Sequence, residues 1–170
     1  MKKNIVFVCT GNTCRSPMAE SLFKDIIREK GRAHEFEVSS RGVYAFTGDP
    51  ASHQAIEVMK EEFGIDLKQH RAMVLDDSDM KKAYLVITMT VRHKNMILDV
   101  YPEAADKVFT IKEYVEAEND AEFDGDTDNE DNYGIKNNPD VIDPFGGDYE
   151  TYKDCALELE ELLLELADRI

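Results

Sequence analysis

Tryptophan is absent, cysteine occurs three times, and positive charge is thin: 20 lysines and arginines face 36 aspartates and glutamates, for a formal net charge of −16. Each shortage excludes something. An odd trio of cysteines without metal-ligand spacing makes neither a disulfide framework nor a metal site, and fits free thiols in a reducing cytoplasm. An acidic field repels nucleic acid and anionic membranes, so neither is expected as a partner, whereas basic protein surfaces are favoured. No apolar run approaches the length of a membrane span, and nothing near the N-terminus resembles a secretory signal. No internal repeat is found. In so acidic a chain, any anion site must be assembled from particular residues and backbone dipoles.

What is present suffices for one core. With 170 residues and 42% hydrophobic content, a single domain over 1–170 is expected. Asn4 to Val8 has the pattern of a short buried strand. Ser16 and Pro17 then suit the N-cap and first position of a helix that runs to about Lys30. "HEFEVSS" alternates as a strand, "RGVYAFTGDP" is a polar loop, and "ASHQAIEVMKEEFG" is a helix closed by Gly64. The acidic "LDDSDMKKA" leads into the strand "YLVITM". A helix follows over Thr90–Val100, then the short strand "KVFT". From Asp148, the residues Tyr152, Cys155, Ala156, Leu159, Leu162, Leu163, Leu166 and Ile170 line one face of a final helix. This alternation predicts a three-layer α/β/α sandwich around a mostly parallel, four-stranded sheet.

One segment departs from that composition. An acidic insertion at about 116–140 carries nine acids between Glu116 and Asp131. Asp124, Asp126 and Asp128 alternate as in a calcium loop, but Asn129 replaces the turn glycine and Ile135 the bidentate glutamate. A solvated acidic loop is the expectation.

The chemistry gathers in "VCTGNTCRSPMAE". Cys9 ends the first strand, and Arg15 stands six residues on, beside a helix start. In open α/β sheets ligands bind beyond the carboxyl ends of strands. Thr10, Gly11, Asn12, Thr13 and Cys14 form a small polar turn in which Gly11 and Asn12 can take left-handed angles. Their N–H groups can then converge as an anion nest over the helix N-terminus. Such a nest favours a Cys9 thiolate and holds phosphoryl oxygens before it. Arg15 would grip two of those oxygens with its planar fork, and Ser16 would donate to the sulfur. The turn lacks the Lys-Ser/Thr ending of a nucleotide-binding loop. The competing reading of Cys9 is a buried free thiol. In "VIDPFGGDYETYK", Asp143 precedes Pro144 and a Gly-Gly pair. It is either an ordinary turn residue or an acid kept protonated near Phe145, able to protonate a leaving group.

These stretches resemble the low-molecular-weight protein tyrosine phosphatases: "VCTGNTCRSPMAE" their phosphate loop, "DPFGG" their general-acid loop. The resemblance spans nearly the whole chain outside the acidic insertion. It implies that Cys9 is the nucleophile, Arg15 the phosphate and transition-state binder, and Asp143 the acid and base. It also places Asn12, Ser16, Ser40 and His70 in a supporting hydrogen-bond network. With "KVFTIKEYV" included, the sequence is most similar to the bacterial protein-arginine phosphatase branch. Thr13 and Phe145 carry that finer distinction. A short threonine leaves room for a planar guanidinium and can bond its edge, where an apolar wall would leave N–H groups unpaired. The competing reading is that Thr13 simply fills the loop. Cys14 either packs the loop or, as the resemblance implies, traps an oxidised Cys9 as a disulfide. Cys155 is expected in the core.

The implied function is hydrolysis of phosphoarginine in proteins through a phospho-cysteine intermediate, without metal or cofactor, with tyrosine phosphatase activity as the alternative. Arsenate reduction on this scaffold needs further redox cysteines, and none lies between Cys14 and Cys155. A module that only binds phosphoproteins would need neither the thiolate nor the acid. Phosphorylated proteins are therefore the expected partners, and the sequence carries no signal of oligomeric state.

Overall fold

The computed structural model describes residues 1–117 and 138–170. Most of the acidic insertion, with Asp124, Asp126, Asp128 and the residues around them, lies outside the described residues. The elements run β1 (Lys3–Cys9), α1 (Arg15–Glu29), β2 (Phe36–Gly42), α2 (His53–Phe63), α3 (Asp77–Lys82), β3 (Leu85–Thr88), α4 (Val91–Val100), a 3-10 turn (Pro102–Ala104), β4 (Val108–Thr110), α5 (Ile111–Glu116) and α6 (Tyr149–Arg169). The four strands pair in parallel in the order β2-β1-β3-β4. The chain leaves β1 toward one edge and returns to its other side. The crevice beyond the carboxyl end of β1 is therefore the topological switch point, where such sheets bind ligands.

Alternation along β1 builds two cores, one on each face of the sheet. Ile5, Phe7 and Cys9 enter the larger one with Met18, Leu22 and Phe23 of α1 and Leu159, Leu163 and Leu166 of α6. Val6 and Val8 face the smaller one, with Met80 and Ile97. The expected sandwich is therefore present. Fully burying a side chain of this size contributes about 1.5–3 kcal/mol before entropy is subtracted, so the α1–α6 layer is a major support for the site above it. In the predicted α6 stripe, Leu162 and Ile170 prove only partly buried.

Local chemistry explains most element ends. Asp148, Thr90 and Ser52 cap α6, α4 and α2 by accepting from Thr151, His93 and Ala55 amides. Gly64 closes α2 in the left-handed region at φ 65°. Three expectations need correction. Helix α1 begins at Arg15 with Cys14 at the N-cap and no side-chain cap, so Ser16 is inside the first turn. The segment "LDDSDMKKA" contains α3, opened by a capping box between Asp76 and Asp79, and Thr110 with Glu113 does the same for α5. Strand β2 runs on to Gly42 because its ladder with β1 continues to the Cys9–Gly42 pair.

Candidate active site

Cys9, at the end of β1, is 3% exposed, and its Sγ lies 2.9 Å from Ser16 Oγ. The turn between them is held open by Asn12, which sits in the left-handed region at φ 57°. Gly11 was also expected there, but among the described residues Asn12 alone combines a side chain with positive φ, and Gly11 is not left-handed. The Asn12 side chain replaces the missing local contacts. Its Oδ1 accepts from the Met73 amide at 3.0 Å, which leaves Nδ2 to donate to Ser16 Oγ and Ser40 Oγ, each at 2.9 Å. Ser40 in turn donates to Glu20. Because Ser16 Oγ already accepts from Asn12, its own hydrogen is left for Cys9 Sγ or for the Arg41 carbonyl at 3.3 Å. A line from Glu20 through Ser40, Asn12 and Ser16 thus reaches the sulfur, with the Ser16 hydrogen available to it.

The backbone of the turn is fixed from outside. His70 Nε2 lies 2.7 Å from the Asn12 carbonyl oxygen, Tyr44 N–H donates to the Thr10 carbonyl at 3.0 Å, and Ser52 N–H to that of Thr13 at 2.9 Å. Gly42 runs directly beneath: a Cβ there would stand 2.5 Å from the Thr10 carbonyl oxygen and 3.0 Å from the Asn12 nitrogen. With carbonyls occupied in this way, the amides are left over. No backbone hydrogen bond outside helices and strands uses an N–H from Gly11 to Ser16 as donor, among the described residues. Unspent N–H donors just before and in the first turn of a helix are the kind of group that can hold an anion.

Arg15 supplies a fixed positive charge beside the turn. It is 4% exposed, donates from Nη1 to the Val141 carbonyl at 3.0 Å, and places Nη2 3.3 Å from Asp143 Oδ2. The segment before α6 is thereby tied to α1. Val141 N–H bonds the Met89 carbonyl, and Asp140 Oδ1 accepts from Val91 N–H at 2.8 Å, which anchors the same segment to β3 and α4. Asp143 stands at the edge of this frame with its side chain 51% exposed, and Phe145 is itself exposed. The expected apolar shelter of Asp143 by Phe145 is absent. Asp143 Oδ1 instead accepts from Phe145 N–H at 3.1 Å, which orients the carboxylate.

The predicted residues Cys9, Asn12, Arg15, Ser16, Ser40, His70 and Asp143 are therefore brought together. Thr13 is half-buried on the same turn, with Oγ1 3.7 Å from Cys14 Sγ. Cys14 faces inward: its sulfur lies 3.3 Å from the Tyr152 hydroxyl and 3.5 Å from Ser52 Oγ, and all three cysteines are free. Burial, then the Cys14 contact, pushes the Tyr152 hydroxyl up to about 12. Burial likewise pushes the Cys155 thiol up to about 12, in keeping with an inert core position.

Glu20, Gly42, His93 and Tyr152 join the site without having been singled out for it. Glu20 was legible, since Ser16 and Glu20 are four apart and share one helix face. His93 gave no signal. It is 3% exposed on α4, with Nε2 2.8 Å from Thr10 Oγ1, across 83 positions of sequence.

The chain matches the family model described as low molecular weight phosphotyrosine protein phosphatase over residues 4–170. The protein-arginine-phosphatase of Bacillus subtilis (strain 168) is 41% identical over 167 residues, which cover 98% of this chain and 96% of that one. PtpB of Staphylococcus epidermidis, a low molecular weight protein-tyrosine-phosphatase, is 33% identical over 159 residues, covering 94% and 93%. Among solved structures, the YwlE arginine phosphatase, in a cysteine-to-serine mutant with a phosphorylated active-site serine, matches with a TM-score of 0.81 at 41% identity, covering 98% of this chain and 94% of that one.

Proposed function

The chain belongs to the low molecular weight phosphotyrosine protein phosphatase family, and on that premise we propose that it hydrolyses phosphoarginine in proteins through a phospho-cysteine at Cys9. The observation that carries the reaction is the placement of Arg15 between the Cys9 turn and Asp143. The Cys9 sulfur attacks phosphorus, the S–P bond forms as the P–N bond breaks, and the carboxylic acid of Asp143 gives its proton to the departing guanidine nitrogen. Amides of the turn and the Arg15 fork hold the non-bridging oxygens throughout, where charge is concentrated in the transition state. Asp143, now a carboxylate, takes a proton from water. The oxygen attacks phosphorus, the S–P bond breaks, and inorganic phosphate leaves with the sulfur restored as a thiolate that the Ser16 hydroxyl can stabilise.

No metal enters this scheme, since Arg15 and the amides supply the positive charge. Free thiols at all three cysteines support a cytoplasmic location, and phosphorylated proteins are the proposed partners. Two observations support arginine as the target. The relative of 41% identity is a protein-arginine-phosphatase, and Thr13 offers a small polar wall where a guanidinium edge needs acceptors. The 33% identity to a tyrosine-directed relative keeps phosphotyrosine as the second reading. Side-by-side kcat/KM for phosphoarginine and phosphotyrosine peptides separates them. Wild type is expected to prefer phosphoarginine, and Thr13→Ile to shift the ratio toward phosphotyrosine by tenfold or more, on the order of one misfitted polar edge. An unchanged ratio removes Thr13 from the specificity assignment.

A further inference from the structure

Among the described residues, His93 combines deep burial with an incomplete set of partners. Its Nε2 meets Thr10 Oγ1 at 2.8 Å, whereas Nδ1 is buried with no hydrogen-bond partner among the described residues. Arg15 of α1, Arg92 on its own helix, and Asp140 and Asp143 of the segment before α6 act on it electrostatically. The position is a junction. Thr10 follows the nucleophile, Val91 N–H at the start of α4 holds Asp140, and His93 N–H is capped by Thr90.

The orphaned atom decides the tautomer. A proton on Nδ1 would be a buried donor without an acceptor, which folded proteins rarely tolerate, whereas an unmet lone pair costs less. The proton therefore belongs on Nε2, with Thr10 Oγ1 as its acceptor. Burial first, then Arg15, lowers the imidazole to about 4, so the ring is neutral at ordinary pH and adds no charge beside Arg15.

We infer that His93 is a positioning residue for the phosphate-binding turn, donating from Nε2 to the Thr10 hydroxyl and so fixing the peptide that follows Cys9. Thr10 is then clamped twice, at its carbonyl by Tyr44 N–H and at its hydroxyl by His93. The second clamp orients the amides on either side of Gly11 toward a common point and leaves the Thr10 hydrogen free to donate. The inference rests on the reading that residues 9–16 bind a phosphoryl group, and it goes further by assigning part of that turn's geometry to α4.

Two measurements test it. Long-range proton–nitrogen NMR on the wild-type protein at neutral pH should show His93 neutral with its proton on Nε2; a proton on Nδ1, or a charged ring, overturns the assignment. Inhibition by inorganic phosphate is then compared in Thr10→Val, His93→Phe and their combination, with an activated aryl phosphate as substrate. Each single change should weaken phosphate binding roughly fivefold to tenfold, the value of one hydrogen bond. The double variant should be no weaker than either single one, and His93→Gln, which keeps a donor at the same reach, should restore binding to within about twofold. Additive losses without rescue by glutamine contradict a positioning role. If wild type turns over the aryl phosphate and binds phosphate while the variants fail to couple, only the His93 assignment falls. If wild type binds no phosphate, the phosphatase reading falls and takes this inference with it.

Discussion

The hydrogen-bond line behind Cys9 has its polarity set from two sides. Glu20 when ionised can only accept, so Ser40 donates to it, and the Met73 amide occupies Asn12 Oδ1, so Asn12 Nδ2 donates to Ser40 and Ser16. The Ser16 hydrogen is left for the Cys9 sulfur or the Arg41 carbonyl. His93 shows a different device, in which burial keeps a base uncharged. The folded protein holds it near 4, against 6.5 for a free imidazole. Between those two values the unfolded chain binds the proton and the folded one does not, so stability is full above about 6.5 and falls as pH drops toward 4. The loss amounts to roughly 2–3 kcal/mol. Urea unfolding of wild type and His93→Gln at neutral pH and near pH 4.5 measures the difference. Wild type should lose more stability on acidification than the variant, and equal losses would mean that His93 does not titrate as assigned.

At the scale of elements, the site depends on how closely β2 passes beneath the turn. Gly42 pairs with Cys9 in the sheet and also bridges to Val74, so the strand cannot retreat. A methyl group 2.5 Å from the Thr10 oxygen must therefore displace the turn. Gly42→Ala is expected to cost about 1–3 kcal/mol of stability and, because the amides turn with the backbone, to reduce kcat/KM for an aryl phosphate by more than tenfold. Loss of stability with unchanged kcat/KM would show that the turn tolerates the shift. Elements also explain what could be read in advance. Strands β1 and β3 are continuous apolar runs, and α6 carries a regular stripe, so burial announced them. Helices α3 and α5 are only six residues long, too short for hydrophobic periodicity to show, and each starts at a capping box, Asp76 with Asp79 and Thr110 with Glu113. Ser16 misled as an N-cap because its hydroxyl is taken by Asn12 and Cys9, a contact that needs Asn12 left-handed.

For the whole molecule, the parallel order β2-β1-β3-β4 carries segments distant in sequence to one end of the sheet. Residues 9–20, 40–42, 70, 93 and 140–143 meet there. The two ends of this set were legible, because the Cys9 turn and the Asp-Pro-Phe-Gly-Gly segment each carry a recognisable pattern. The middle was legible only through resemblance for Ser40 and His70, and not at all for His93, whose role appears once α4 packs against the turn. In a chain of net charge −16, Arg15 and the backbone amides place positive charge locally where the protein as a whole opposes it. The proposed reaction turns on Cys9 taking the phosphoryl group from phosphoarginine. Wild type and Cys9→Ser are each mixed with a protein phosphorylated on arginine, quenched rapidly, and mapped by peptide mass spectrometry. A transient phosphoryl group is expected on position 9 of wild type, a long-lived one or none on the serine variant, and turnover only with cysteine. Phosphate release by the serine variant at the wild-type rate, or a phosphoryl group trapped at any other residue, would contradict it.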